Sequence, residues 1–360
     1  MKTKPMTKFA ILALSLVLVA CAGGGSEEAG CPAIDGREIN VVATTPMIGE
    51  FVSQVGGEKI NLTVLMPPEA NPHTYEPAPQ DAGTIAEADL VFYTGLLYEP
   101  AALVKLLENS ACSTDILSEV GESVFPIEFK EGGHDDHDDH DDEEGHDDHD
   151  DEEGHDDHDD EEGHDDEEGH DDEEGHDDHE GHNHGAYDPH FWFDPSRVAY
   201  AAEYIESRLI EFDPENESSY KSSADSFVSE LNDLTKQVSE LISTVPSQNR
   251  KLITTHESLG YLEAKFGLEV LSTIIPSLNS ANEISPSDLA GVIDVIEDNN
   301  VKVIFIESEA PSVYSETIVA ETGIKSVTGL YVETLKPGQS YSEFLISNVT
   351  LITENLQDTD

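Results

Sequence analysis

Residues 131–185 carry no apolar side chain. A hydrophobic core must therefore be built from the chain on either side of them. The stretch repeats GHDDHDDEE and GHDDEE units and holds 32 acids, no Lys or Arg, and 13 of the 16 histidines of this 360-residue chain. With nothing apolar to bury, it cannot offset the entropy of ordering, and disorder is expected.

The flanks read differently. Before the tract, short apolar runs at 39–43, 60–65 and 90–93, and a weaker one at 115–120, alternate with helical patterns at 82–88 and 101–108. After it, strands are expected at 251–255, 268–274, 301–306 and 325–330. A helix over 286–298 opens on Ser285-Pro286-Ser287-Asp288, a cap, a first-turn proline and a capping-box acid. Continuous apolar strands alternating with helices indicate an α/β fold of mostly four-stranded parallel sheets flanked by helices. Asp194-Pro195 reads as an N-cap followed by first-turn proline, for a helix reaching about 211. A second helix, 214–244, carries Phe227, Leu231, Leu234, Val238, Leu241 and Ile242 on one stripe. At about 30 residues it would measure roughly 45 Å, long enough to be a rigid connector between two lobes. The expected division is 38–193 for the first lobe, interrupted by 131–185, then 194–245 for the helical connector and 246–360 for the second lobe.

Lys2, Lys4 and Lys8 precede the apolar run 9–20, which is too short to span a bilayer and reads as a signal peptide over 1–20. It ends in Leu18-Val19-Ala20-Cys21, similar to a lipobox. Lipidation of Cys21 would leave 21–37 as a flexible tether to the membrane, with plain secretory cleavage as the alternative. Two cysteines remain, Cys31 and Cys112. An oxidising compartment and an even remainder allow a bridge between them, although spacing alone does not bring them together. The formal charge is −61. With the tract set aside, the mature chain still keeps 46 acids against 14 bases. That excludes the basic footprint of a nucleic-acid binder and suits attraction of cations.

Outside the tract only three histidines remain, each in its own motif: His73 in NPHTYEP, His190 in YDPHFWFDP and His256 in LITTHESLGY. His73 and His256 fall just past expected strand ends, where open α/β sheets gather their ligand sites. Alone, His73 reads as a solvated loop residue sooner than as a ligand, and His190 as a packed core-edge ring. Glu257 follows His256, but position 260 is Gly, so the HExxH pattern of zinc proteases is absent. Neutral imidazole is a common ligand of zinc and its neighbours.

Taken together and in order, NPHTYEP, DPHFWFDP, THESLGYLEAKFGL and FIESEAPS, with a His-rich insert before the second, resemble the metal-binding substrate-binding proteins of ABC transporters, the cluster A-I group of zinc and manganese receptors. The resemblance spans roughly residues 38–357. It implies two α/β lobes joined by a long rigid helix, with metal in the cleft between them. It also implies the partners, an ABC permease and the membrane reached through the lipid anchor, for a monomeric receptor held outside the cytoplasmic membrane. The family's ligand positions correspond to His73, His190 and His256. Its fourth position, in a pattern like LYxDSL, falls in Leu330-Tyr331-Val332-Glu333-Thr334-Leu335, so Glu333 stands where Asp is usual, one methylene longer. Glu307 and Glu309 match positions that are structural in the family, and Asp194 is assigned to the helix cap.

Three imidazoles and one carboxylate suit tetrahedral Zn²⁺ as the transported ligand, with Mn²⁺ the alternative. The tract histidines, His134, His137, His140, His146, His149, His155, His158, His164, His170, His176, His179, His182 and His184, are expected to bind metal weakly and many at a time. Neighbouring carboxylates should raise their pKa values, so protons compete there. No bond-making chemistry is expected. The rival readings are an extracellular zinc buffer or adhesin without transport, and a zinc hydrolase with Glu257 as its base.

Overall fold

The computed structural model describes residues 31, 34, 36–129, 187–275, 284–308 and 313–357. The signal segment, Cys21, Glu309 and the thirteen tract histidines lie outside the described residues.

Among the described residues, eight strands form two four-stranded parallel sheets. The first, ordered β2-β1-β3-β4, comprises β1 (Ile39–Ala43), β2 (Ile60–Val64), β3 (Leu90–Tyr93) and β4 (Leu117–Glu119). The second, ordered β6-β5-β7-β8, comprises β5 (Lys251–Thr254), β6 (Glu269–Thr273), β7 (Val303–Glu307) and β8 (Lys325–Leu330). Both sheets share one order, and in each the chain reverses direction between the first and third strands. That reversal opens a crevice at the carboxyl ends of the strands.

Nine helices are seen among the described residues: α1 (Pro46–Gly56), α2 (Pro79–Ala86), α3 (Ala101–Ser110), α4 (Pro195–Phe212), α5 (Glu217–Ser243), α6 (Gly260–Phe266), α7 (Pro286–Asn299), α8 (Val313–Thr322) and α9 (Tyr341–Gln357). Caps account for several boundaries. Thr45 accepts the Ile48 amide at the start of α1. Asp194 accepts the Ser196 amide at the start of α4, and Ser285 and Asp288 close a capping box on α7. α2 begins earlier than its apolar spacing predicts, because Asp81 accepts the Ala78 amide and Pro79 fills the first turn. The connector differs as well. Pro214–Asn216 form a separate 3₁₀ turn, and α5 proper runs 27 residues, about 40 Å. The strand expected from 301 begins at Val303, because the Val301 amide is still bonded to the Ile296 carbonyl behind the left-handed Asn300.

Strand alternation distributes the side chains between cores. Ile39, Val41 and Ala43 of β1, Leu252 of β5, and Val303 and Phe305 of β7 all enter one large core. Their neighbours Val42, Ile253, Ile304 and Ile306 enter smaller clusters on the outer faces. α5 runs through the large core, burying Tyr220, Ala224, Phe227, Leu231, Leu234, Val238 and Ile242, and packs on α1, α4 and α9. The inner faces of both sheets thus share a single apolar interior with the connector. α9, last in the chain, returns to α5 and touches α1 of the first lobe.

Cys31 and Cys112 are joined by a disulfide with Cα atoms 5.0 Å apart, tying the chain ahead of β1 to the end of α3. On either side of 130–186, Glu128 and Tyr187 form an antiparallel bridge, and the Asp188 amide donates to the Ile127 carbonyl at 3.0 Å. The Tyr261 hydroxyl of α6 clasps both ends, accepting from the Ile127 amide at 3.2 Å and donating to the Asp188 carbonyl at 2.8 Å. No helix among the described residues is long and apolar enough to cross a membrane.

Candidate metal centre

Four side chains distant in sequence meet in the crevice between the sheets. His73 sits in a 3₁₀ turn after β2, where Asn71 caps the turn by accepting the His73 amide. His190 precedes the buried turn Phe191–Phe193 leading into α4. His256 lies two residues beyond β5, and Glu333 three beyond β8. One ligand atom from each lies within 4.8 Å of all the others. A tetrahedral cation with bonds of about 2.1 Å spaces its ligand atoms about 3.4 Å apart, so the quartet has the size to hold one cation after modest closing shifts.

The Glu333 carboxylate sits at the centre. Its Oε1 is 2.9 Å from His73 Nε2 and 2.8 Å from His256 Nε2, and its Oε2 is 3.5 Å from His190 Nε2. Yet Nε2 of His190 and of His256 are buried and make no hydrogen bond. Their approach to the carboxylate is close without meeting the geometry of a hydrogen bond. Angle decides a hydrogen bond as much as distance. Two buried imidazole nitrogens left without a hydrogen bond beside an anion require something else to meet them, and a cation bound by all four groups does so.

The opposite ring nitrogens are anchored. His190 Nδ1 pairs with Asp188 Oδ1 at 2.8 Å, and the same oxygen accepts the His190 amide at 2.8 Å. His256 Nδ1 makes a short contact with Glu307 Oε2, while Glu307 Oε1 accepts the His256 amide at 3.1 Å across the β5–β7 crevice. Carboxylates on the far nitrogen fix the tautomer that frees Nε2 for metal and raise its basicity. The Glu333 loop is held as firmly. Trp192 Nε1 donates to the Val332 carbonyl at 2.8 Å, and Asn348 brackets Tyr331 through both backbone groups.

Charge follows the geometry. Burial works against the charged form of His190, but Glu333 and Asp188 outweigh it and push its pKa up to about 9. Burial likewise opposes charge on His256, and Glu307 with Glu333 carries it well above the ordinary value. Burial would raise Glu333, but the three histidines hold it well below the usual carboxylate range. Without metal, the centre therefore draws protons into the place of a cation.

All four ligand-type residues expected from the sequence are thus brought together. Asp188 and Tyr98 were not marked by it. Asp188 carries a local signal, an acid two residues before a candidate ligand. Tyr98 carries none, and its hydroxyl reaches Glu333 Oε2 at 2.9 Å from 235 positions away.

The two-lobed α/β body, with imidazoles and a carboxylate converging at the seam, defines a metal-binding protein of the two-lobed receptor type. Residues 41–355 match the family described as ZnuA, zinc-uptake complex component A, periplasmic, and the chain belongs to that family, the non-enzymatic metal-binding components of ABC uptake systems. It is 25% identical over 362 residues to the manganese ABC transporter substrate-binding lipoprotein PsaA of Streptococcus anginosus, covering 98% of this chain and 99% of that one. To the manganese-binding lipoprotein MntA of Halalkalibacterium halodurans it is 21% identical over 354 residues, covering 97% of each. Among solved structures, the fold is similar to the periplasmic zinc binding protein TroA from Treponema pallidum, with a TM-score of 0.68 at 19% identity over 89% of this chain and 99% of that chain. A crystal structure of ZnuA gives 0.65 at 22% identity, over 88% and 98%.

Proposed function

We propose that this chain is a lipid-anchored receptor that captures Zn²⁺ at His73, His190, His256 and Glu333 and delivers it to an ABC permease. The donor set carries the reading: three imidazole nitrogens and one carboxylate, two of the nitrogens buried without a hydrogen bond. Mn²⁺ prefers oxygen-rich, higher-coordinate sites, whereas three nitrogens and one oxygen suit four-coordinate Zn²⁺. Cys21 is the proposed lipidation site, after a signal peptide of 1–20. Residues 21–37 then serve as tether, 38–193 and 246–360 as lobes, and 194–245 as connector. The tract histidines act as weak accessory binders.

The second reading keeps the protein and changes the cargo to Mn²⁺. It is favoured by the names of the similar lipoproteins from Streptococcus and Halalkalibacterium. Competition titration of Zn²⁺ against Mn²⁺, with His256→Ala as the control lacking the centre, decides between them. A tight site that prefers Zn²⁺ and is lost in the control is expected. A Mn²⁺ preference overturns the cargo and leaves the receptor standing.

A further inference from the structure

Glu333 offers two oxygens, and the number that reach a metal sets its coordination. One oxygen with three imidazoles makes four ligands, the preference of Zn²⁺; both oxygens make five and move the site toward cations that accept higher coordination. The two oxygens are in different surroundings. Oε1 faces His73 and His256 at 2.9 and 2.8 Å, whereas Oε2 stands 3.5 Å from His190 and accepts the Tyr98 hydroxyl at 2.9 Å. The same hydroxyl is 3.0 Å from the Glu333 carbonyl, so it addresses the side chain and backbone of one residue together.

Tyr98 has little freedom to leave. It is buried, and its ring meets His73, His190 and Trp192 edge-on, with centroids 5.4, 6.0 and 5.3 Å away. The chain enters it through three consecutive residues with positive φ, Gly95 (76°), Leu96 (53°) and Leu97 (61°). For the two leucines this conformation is costly and persists only where the surroundings impose it. They are imposed from both sides. Glu119 accepts the Leu96 amide at 2.9 Å, and the buried Glu99 accepts the Thr94 and Gly95 amides at 2.6 and 2.9 Å and the Thr44 hydroxyl at 2.6 Å. A backbone held in this way delivers the next side chain, Tyr98, to one place.

We infer that Tyr98 is a specificity-determining positioning residue: its hydroxyl occupies Glu333 Oε2, holds the carboxylate to one-oxygen ligation through Oε1, and so favours a four-coordinate cation over a five-coordinate one. The inference rests on the reading of His73, His190, His256 and Glu333 as the ligand set. Tyr98 itself does not touch the metal. It acts by withholding an oxygen.

Tyr98→Phe removes the hydroxyl and keeps the ring against its three aromatic neighbours. Partners beyond the ligands commonly change metal affinity by about 10–100-fold, and the Zn²⁺-to-Mn²⁺ affinity ratio should fall by at least about tenfold. Co²⁺ serves as the optical probe, since its visible absorption is intense in four-coordinate sites and weak in five-coordinate ones. One equivalent added to the full chain should give the intense spectrum, and Tyr98→Phe the weak one. Both proteins carry the same 131–185 segment, so its contribution cancels in the difference. Zinc-edge X-ray absorption on the unsubstituted chain, one equivalent loaded, supplies a measure independent of the variant, with four light ligands expected and five overturning the inference. An unchanged ratio with an unchanged Co²⁺ spectrum in Tyr98→Phe also overturns it. Failure of the underlying reading looks different: the His256→Ala control would then keep the same Co²⁺ spectrum as the unsubstituted chain.

Discussion

Glu307 never faces the cation site directly, yet neutralising it should loosen the grip on zinc. Its carboxylate accepts the His256 amide at 3.1 Å, the His256 Nδ1 proton through a short contact, and the Ser258 hydroxyl at 3.4 Å, all in buried surroundings. In Glu307→Gln one oxygen becomes the NH2 of a carboxamide. If the remaining oxygen keeps Nδ1, the NH2 faces the His256 amide, donor against donor, and a buried hydrogen bond to a charged group worth about 1.5–3 kcal/mol is lost. If the amide turns the other way, Nδ1 must accept, the ring proton moves to Nε2, and the lone pair meant for metal is gone. Either arrangement should weaken Zn²⁺ binding by about 10–100-fold, equivalent to about 1.4–2.8 kcal/mol. At a fixed excess of zinc, the stabilisation of the fold by metal should shrink by the same amount.

A smaller effect runs the other way. Removing the Glu307 charge lowers the proton affinity of His256, which both carboxylates now hold high, and so relieves proton competition. The deficit should therefore be larger at pH 8 than at pH 6. Titration against a chromophoric chelator at both values reads the affinity directly. Wild-type affinity at pH 8, or a deficit that grows on acidification, would refute this account of how His256 is held.

Three further outcomes are expected. Zn²⁺ affinity should fall steadily from pH 9 to pH 6, because His190, with its pKa near 9 in the metal-free centre, must lose a proton to bind; calorimetry in matched buffers follows it. The sign reverses for the metal-free fold. A histidine raised to about 9 stabilises fully below its unfolded value of about 6.5 and loses that contribution as pH rises through 9, while the depressed Glu333 contributes only above its unfolded value of about 4.3. Metal-free melting should accordingly peak between about pH 4.3 and 6.5, and zinc saturation should move the peak upward. Deleting 131–185 should leave one tight site and remove several weak ones in a zinc titration; loss of the tight site would contradict the separation of centre from tract.

Much of this was legible because the chemistry is written in local patterns. β7 reads as a strand because the apolar run Val303-Ile304-Phe305-Ile306 is what burial on both faces requires. The three ligand-type histidines stand out because every other histidine sits in one tract. Glu333 is different: one acid among 78, it was marked only by resemblance to LYxDSL, and its role emerges when four loops converge. Tyr98 has no signature at all, since its meaning depends on an oxygen 235 residues away. The shared core was equally hidden. A division at 193 and 245 follows the order of the chain, whereas α9 folds back onto the connector and the first lobe after the second sheet is complete. Helical periodicity tells which face is buried but not which partner buries it.

The clasp formed by Glu128, Tyr187 and Tyr261 bears on how the acidic repeats can change. The described chain stops at Phe129 and resumes at Tyr187, and these two flanks are fastened together. Closing a loop between fixed ends grows costlier by only about 0.6 kcal/mol for each doubling of its length. Halving the number of repeat units should accordingly change the stability of the two lobes by well under about 1 kcal/mol, read by denaturant unfolding. The clasp thus acts as a socket that sets the separation of the two flanks and not the number of residues between them.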